Sequence, residues 1–115
     1  MRPALAATAI ILSSLPIAIL AQAKGIRLWN LTTATMTGFQ LSPAGQNNWG
    51  PNQTLNDKDK ELDHDERLRL TGVEPGRYDA KVSYAGDRQC IVRGLDIKAD
   101  AVVSVADKDL KDCTK

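Results

Sequence analysis

The chain has 115 residues, with 15 Lys and Arg against 14 Asp and Glu, one His and two Cys. A chain of that length builds one small domain with a limited core. The near-balanced charge lacks the basic excess that marks nucleic-acid-binding domains, so no nucleic acid is expected as a partner.

Met1 to Ala23 reads as a cleavable secretory signal peptide. Arg2 gives a short positive start, Ala4 to Leu20 is an uncharged and mostly apolar helical run, and Ala21-Gln22-Ala23 offers small residues for cleavage. A membrane anchor is the competing reading. Ser13, Ser14 and Pro16 interrupt the run, which sits at the lower length limit for spanning a bilayer. Residues 24–115 are then expected as a single exported domain, periplasmic or secreted, free of the membrane and monomeric.

Ile26 to Leu31 reads as a first strand and Met36 to Leu41 as a second, with Phe39 and Leu41 sharing one face. Trp29 is expected in the core or over its edge. Asn30-Leu31-Thr32 and Asn52-Gln53-Thr54 match the N-glycosylation sequon, which matters only in a eukaryotic source. Ser42 to Asn56 is rich in Pro, Gly and Asn and reads as a long surface loop around Trp49. An aromatic there either pins the loop down or is presented to a partner, so Trp49 and Asn52 are the candidate binding residues.

Asp57 to Glu66 crowds acids around His64. Hard cations take several oxygen ligands from a short loop, so Asp57, Asp59, Glu61, Asp63 and Asp65 are the candidate metal ligands, with calcium the expected ion. Leu62 stands where a calcium loop requires Gly, and Lys58 and Lys60 intrude, so a solvated charged connection is the competing reading.

From Arg67 the pattern is regular. Leu68 and Leu70 alternate with Arg67 and Arg69, and beyond Gly72, Pro75 and Gly76 the residues Tyr78, Ala80, Val82 and Tyr84 alternate with Asp79, Lys81 and Ser83. The spacing predicts a strand, a tight turn and a second strand over 68–84, a central hairpin with Arg67, Arg69, Asp79 and Lys81 facing water. Further strands follow at Arg88 to Arg93, at Leu95 to Ile97 after a bend at Gly94, and at Val102 to Val105, with a helical turn near Lys108 to Leu110. Short strands at this spacing predict an all-β fold, a small antiparallel β-sandwich of about seven strands. Cys90 and Cys113 form an even pair in an exported chain and are expected to make one disulfide, contributing about 3 kcal/mol by loop closure.

The run Gly72 to Asp79, followed by Val82, resembles the Pro-Gly-x-Tyr strand of prealbumin-like and carboxypeptidase-regulatory-like sandwich modules. The segments Asn30 to Thr32, Leu41 to Gly45, Trp49-Gly50, Asn56 to Asp59, Pro75 to Asp79 and Asp109 to Cys113 also look like a group of small exported bacterial proteins of uncharacterised function. Those resemblances imply architecture and export, and carry over no catalytic residue.

His64 is the sole imidazole, and Ser42, Ser83 and Ser104 lack a nucleophile-elbow setting. No catalytic residues and no cofactor are expected. The sequence thus predicts a non-catalytic binding or structural module for a protein or cell-envelope component, acting through its loops or an exposed sheet edge. A calcium-responsive module is the alternative.

Overall fold

The computed structural model describes residues 24–114, so the segment expected as a signal peptide, with its expected helix, lies outside the described residues, as does Lys115. Among the described residues there are six strands: β1 (Arg27–Leu31), β2 (Gly38–Pro43), β3 (Arg67–Arg69), β4 (Gly76–Tyr84), β5 (Arg88–Ile97) and β6 (Val102–Ala106). They form two three-stranded sheets, in the orders β3-β1-β6 and β2-β4-β5. No helix among the described residues is long and apolar enough to cross a membrane.

Alternation decides which side chains go inside. Leu28 from β1, Leu68 from β3, Val105 from β6, Phe39 and Leu41 from β2, Ala80, Val82 and Tyr84 from β4, and Cys90, Val92 and Ile97 from β5 meet between the sheets. Burying one such aliphatic or aromatic side chain contributes about 1.5–3 kcal/mol, and this shared layer is the main cohesive term.

The expected hairpin over 68–84 does not form. β3 pairs antiparallel with β1, whereas β4 pairs with β2 and β5, so the two halves of that stretch belong to different sheets. Residues 70–75 are the crossover between layers. Leu68 and Leu70 face the same core as Ala80 and Val82, but from the opposite side. Alternation specifies a buried face; it does not specify which sheet supplies it. At the end of the crossover the Tyr78 hydroxyl donates to the Glu74 carbonyl at 2.7 Å, fastening the half-buried ring to the turn.

Two further expectations are corrected. β1 and β6 run parallel, with Arg27 beside Val102 and Leu31 beside Ala106, so the sandwich is not wholly antiparallel. Gly94 bends β5 without ending it, which merges two expected strands into one. Between Tyr78 and Ala80 the β4–β5 register shifts, and Asp79 lies opposite both Arg93 and Gly94. This bulge moves the inward face of β5 from Cys90 and Val92 to Ile97. Gly94 has φ +65°, and an added Cβ would lie 3.1 Å from the Arg77 guanidinium, so glycine suits the position on both counts.

Three of the four outer edges of the sheets are covered. On β2, the Phe39 amide donates to Asn52 Oδ1 at 2.9 Å and the Leu41 carbonyl accepts from Gly50 at 2.8 Å. On β3, Asn56 Nδ2 donates to the Arg69 carbonyl at 3.2 Å, and Gln53 brackets Thr71 just beyond it, donating to its carbonyl and accepting from its amide. On β5, Ile91 exchanges two 2.8 Å backbone bonds with Lys111, and the Cys90–Cys113 disulfide holds that tail in place. The β6 edge is capped at its end, where the outward Ala106 amide donates to Asp109 Oδ2 at 2.9 Å.

Candidate functional site

Both tryptophans lie outside the core, on opposite faces of the sandwich. Because Leu28 and Asn30 point inward from β1, Arg27 and Trp29 point outward, as do Arg67 and Arg69 on β3. Trp29 sits directly across from Arg67, and Arg27 directly across from Arg69. Both are non-hydrogen-bonded pairs of the ladder, the kind in which facing side chains stand closest. The Arg67 guanidinium lies 4.1 Å from the Trp29 ring centroid, and the indole Nε1 donates to Asp65 at 3.0 Å. Arg27 donates to the carbonyls of Gly25 and Asp100 at 3.3 and 3.1 Å, which fixes its head group without neutralising it. Arg27 and Arg69 thus stand directly opposite each other on the outer face.

On the opposite face the 44–52 loop is strapped across β2 and β4. Trp49 is half-buried beneath Lys81, whose Nζ is 4.9 Å from the ring centroid. Asn48 donates its amide to Ser42 Oγ at 2.8 Å, and Gln40 donates to the Gly50 carbonyl at 3.0 Å. Asn52 is wholly engaged. Its Oδ1 accepts from the amides of Phe39 and Thr54 and from the Thr54 hydroxyl, and its Nδ2 donates to the Thr37 carbonyl. The stretch expected as one long loop is thus ordered: Ser42 and Pro43 complete β2, and Gln53 to Asn56 form a 3-10 turn with Gln53 and Thr54 buried. A shallow cavity of about 160 Å³ lies between this strap and the 70–75 crossover, floored by Leu41, Pro51, Val73 and Tyr78. It is smaller than the clefts that enclose drug-sized ligands.

Asp79, expected in water, is 4 % exposed. Its carboxylate accepts from the Gly45 amide at 2.9 Å, the Gly94 amide at 3.1 Å and Arg93 Nη1 at 3.3 Å. Alternation sends it to the outer face of its sheet, but the strap closes over it there. The two amide bonds, Gly45 first, and the guanidinium hold its pKa below the ordinary aspartate value against the opposing effect of burial.

The acidic segment is dispersed by its own anchor. Leu62 is fully buried and exchanges two 2.9 Å backbone bonds with Met36, so the chain is pulled inward at its centre and the acids fan away on either side. Asp57 accepts from the Asp59 amide, Asp63 from the Thr35 hydroxyl and Asp65 from Trp29. Among the described residues no three acids, histidines or cysteines converge into a group able to hold a metal ion. Asp57, Asp59, Glu61, Asp63 and Asp65 are therefore not brought together as a calcium site.

A polar network crosses the core near this anchor. Asn30 is fully buried, accepts from the Thr32 amide and hydroxyl, and donates to the carbonyls of Ala34 and Leu62. Tyr84 donates across the sandwich to Thr32 Oγ1 at 3.1 Å, and His64 Nδ1 donates to the Thr32 carbonyl at 2.8 Å. Burial pushes the Tyr84 phenol up. Both Asn-x-Thr matches are thus the same local device, an Asn whose side-chain oxygen accepts from the amide and hydroxyl of the Thr two residues on. Cys90 and Cys113 are bonded, as expected.

No protein-family model, curated protein or solved structure matches the chain. The Arg27, Trp29, Arg67 and Arg69 block was not singled out from the sequence, because the two arginine-bearing strands are separated by a long stretch of chain. The period-two spacing of Arg67 and Arg69 was visible; their pairing partner was not.

Proposed function

We propose that this chain is a non-catalytic binding module of the cell exterior, periplasmic or secreted, whose ligand is an acidic polysaccharide of the envelope. The observation that carries this reading is the outward-facing pair of Arg27 and Arg67 around Trp29, with the half-buried Arg27 held by backbone carbonyls and Arg67 by the indole. Guanidinium groups pair with carboxylates through a planar fork of donors, and holding them in place beforehand lowers the entropy cost of binding. The block replaces the Trp49 loop as the candidate surface, because the Asn52 amide is used within the fold and Trp49 is half-covered by Lys81. Export is supported by the leader-like Met1 to Ala23 and agrees with the disulfide. The prealbumin-like turn at Pro75 to Tyr78 supports a scaffold role for the strands behind the face.

Binding to alginate, a polyuronate, tests the reading. The protein should bind at low ionic strength and lose affinity as salt rises. Arg27→Glu with Arg67→Glu should abolish binding, while Lys81→Glu on the opposite face should leave most of it. Equal losses from the two faces, or no binding at low salt, would refute the assignment.

A further inference from the structure

The outer face of the β3-β1-β6 sheet continues past the arginines onto β6. In the parallel β1–β6 ladder Arg27 lies beside Val102 and Trp29 beside Ser104. Val105 is buried and Val103 packs against the core, so alternation turns Val102 and Ser104 outward, where both are exposed. The three strands thus present two rows of side chains, Arg69–Arg27–Val102 and Arg67–Trp29–Ser104. Charge is shared unevenly along them. β3 carries arginine in both rows, whereas no residue of β6 from Val102 to Ala106 is charged. Two carboxylates border the rows, and both are engaged: Asp65 accepts from the Trp29 indole and Asp100 from the Gly25 amide. Arg27 uses two of its guanidinium donors on the Gly25 and Asp100 carbonyls and keeps the rest for a ligand. The Ser104 hydroxyl is bonded to no group among the described residues.

We infer that a uronate ring of the acidic polysaccharide lies across β1 and β6, with its carboxylate on the Arg27 guanidinium, a ring hydroxyl on Ser104 Oγ and its C–H face over Val102. This rests on the acidic-polysaccharide reading and adds which side of Trp29 the sugar occupies and what is recognised besides charge. The β3 side of Trp29 is already taken by the Arg67 guanidinium, 4.1 Å from the ring centroid, whereas its neighbour on the β6 side is the short Ser104. Two residues along a strand span about 6.6 Å, the scale of one sugar ring with its carboxylate. Arginines alone attract any polymer of sufficient negative charge, whatever its skeleton. A hydroxyl partner and an apolar contact beside them favour a polymer that carries carboxylate, hydroxyl and C–H surface on the same ring. Because Val102 and Ser104 are exposed, each contributes a several-fold preference and not an absolute one.

Titration of the oxidised protein with alginate and, in parallel, with inorganic polyphosphate at low ionic strength tests this. Polyphosphate supplies negative charge without a sugar ring. Ser104→Ala should weaken alginate binding about fivefold, the worth of one hydrogen bond, and Val102→Ser should weaken it several-fold. Neither change should alter polyphosphate binding, which also reports that both variants keep the fold. Arg27→Glu should weaken binding of both polymers. Alginate binding that Ser104→Ala and Val102→Ser leave unchanged overturns this inference and leaves the polysaccharide reading standing. Losses equal for alginate and polyphosphate do the same. A wild type that binds neither polymer, or polyphosphate alone, overturns the polysaccharide reading and this inference with it.

Discussion

Arg67 lies over Trp29, its guanidinium carbon 4.1 Å from the ring centroid, in a facing pair across β1 and β3. The stack is solvent-facing, so its contribution to stability is small, about 0.5–1 kcal/mol. Arg67→Met should therefore move the denaturant midpoint only slightly while removing most alginate binding. A large stability loss with binding retained would mark the pair as structural.

Asp79 connects three parts of the fold: the strap through Gly45, the bulge through Gly94, and Arg93, which also reaches Asp112 near the tail disulfide. Replacing it with Ala leaves buried amides unpaired and should cost about 2 kcal/mol. Because its folded pKa is depressed, its stabilisation is present above the unfolded aspartate value of about 3.9 and is lost as pH falls through the lower folded value. Thermal midpoints of wild type and Asp79→Asn should converge on acidification below about pH 4. A constant gap down to the acid limit contradicts this account.

The Tyr84 hydroxyl behaves in the opposite sense with respect to pH. Its phenol pKa is raised by burial, so its contribution is intact below the unfolded tyrosine value of about 10 and disappears as pH climbs through the higher folded value. Tyr84→Phe should destabilise by about 1 kcal/mol at neutral pH by removing the bond to Thr32. Urea titrations in alkaline buffer should show that difference shrinking.

Asn52 and Trp49 are close in sequence but differ in role. Asn52→Ala strips the partner from the Phe39 amide on the β2 edge and should cost about 2 kcal/mol. Trp49→Ala removes a half-buried ring lying against Lys81 on the outer face, and a loss near 1 kcal/mol is expected. Chemical denaturation of the two variants side by side checks the order; a reversal would place Trp49 among the structural anchors.

Local regularities in the sequence were legible where a single strand explains them. The inward faces of β2, β4 and the first half of β5, the helical turn before the tail and the disulfide all follow from alternation, turn residues and an even cysteine count. Pairing was not legible. Leu68-x-Leu70 and Ala80-x-Val82 look alike whether the two strands lie side by side or face each other across a core, and only the length of the 70–75 crossover separates the cases. Asp79 was misplaced for a related reason: the pleat points it outward, but burial there comes from Gly45, far along the chain. The acidic stretch is rich in ligand chemistry by composition, yet one apolar residue, Leu62, decides how its carboxylates are spread.

The tail clamp at Cys90–Cys113 also ties the end of the chain to the second sheet: with the bond closed, Lys111 stays on the Ile91 edge. Reduction should release that segment, so limited proteolysis should cut the 107–114 tail of the reduced protein before that of the oxidised one.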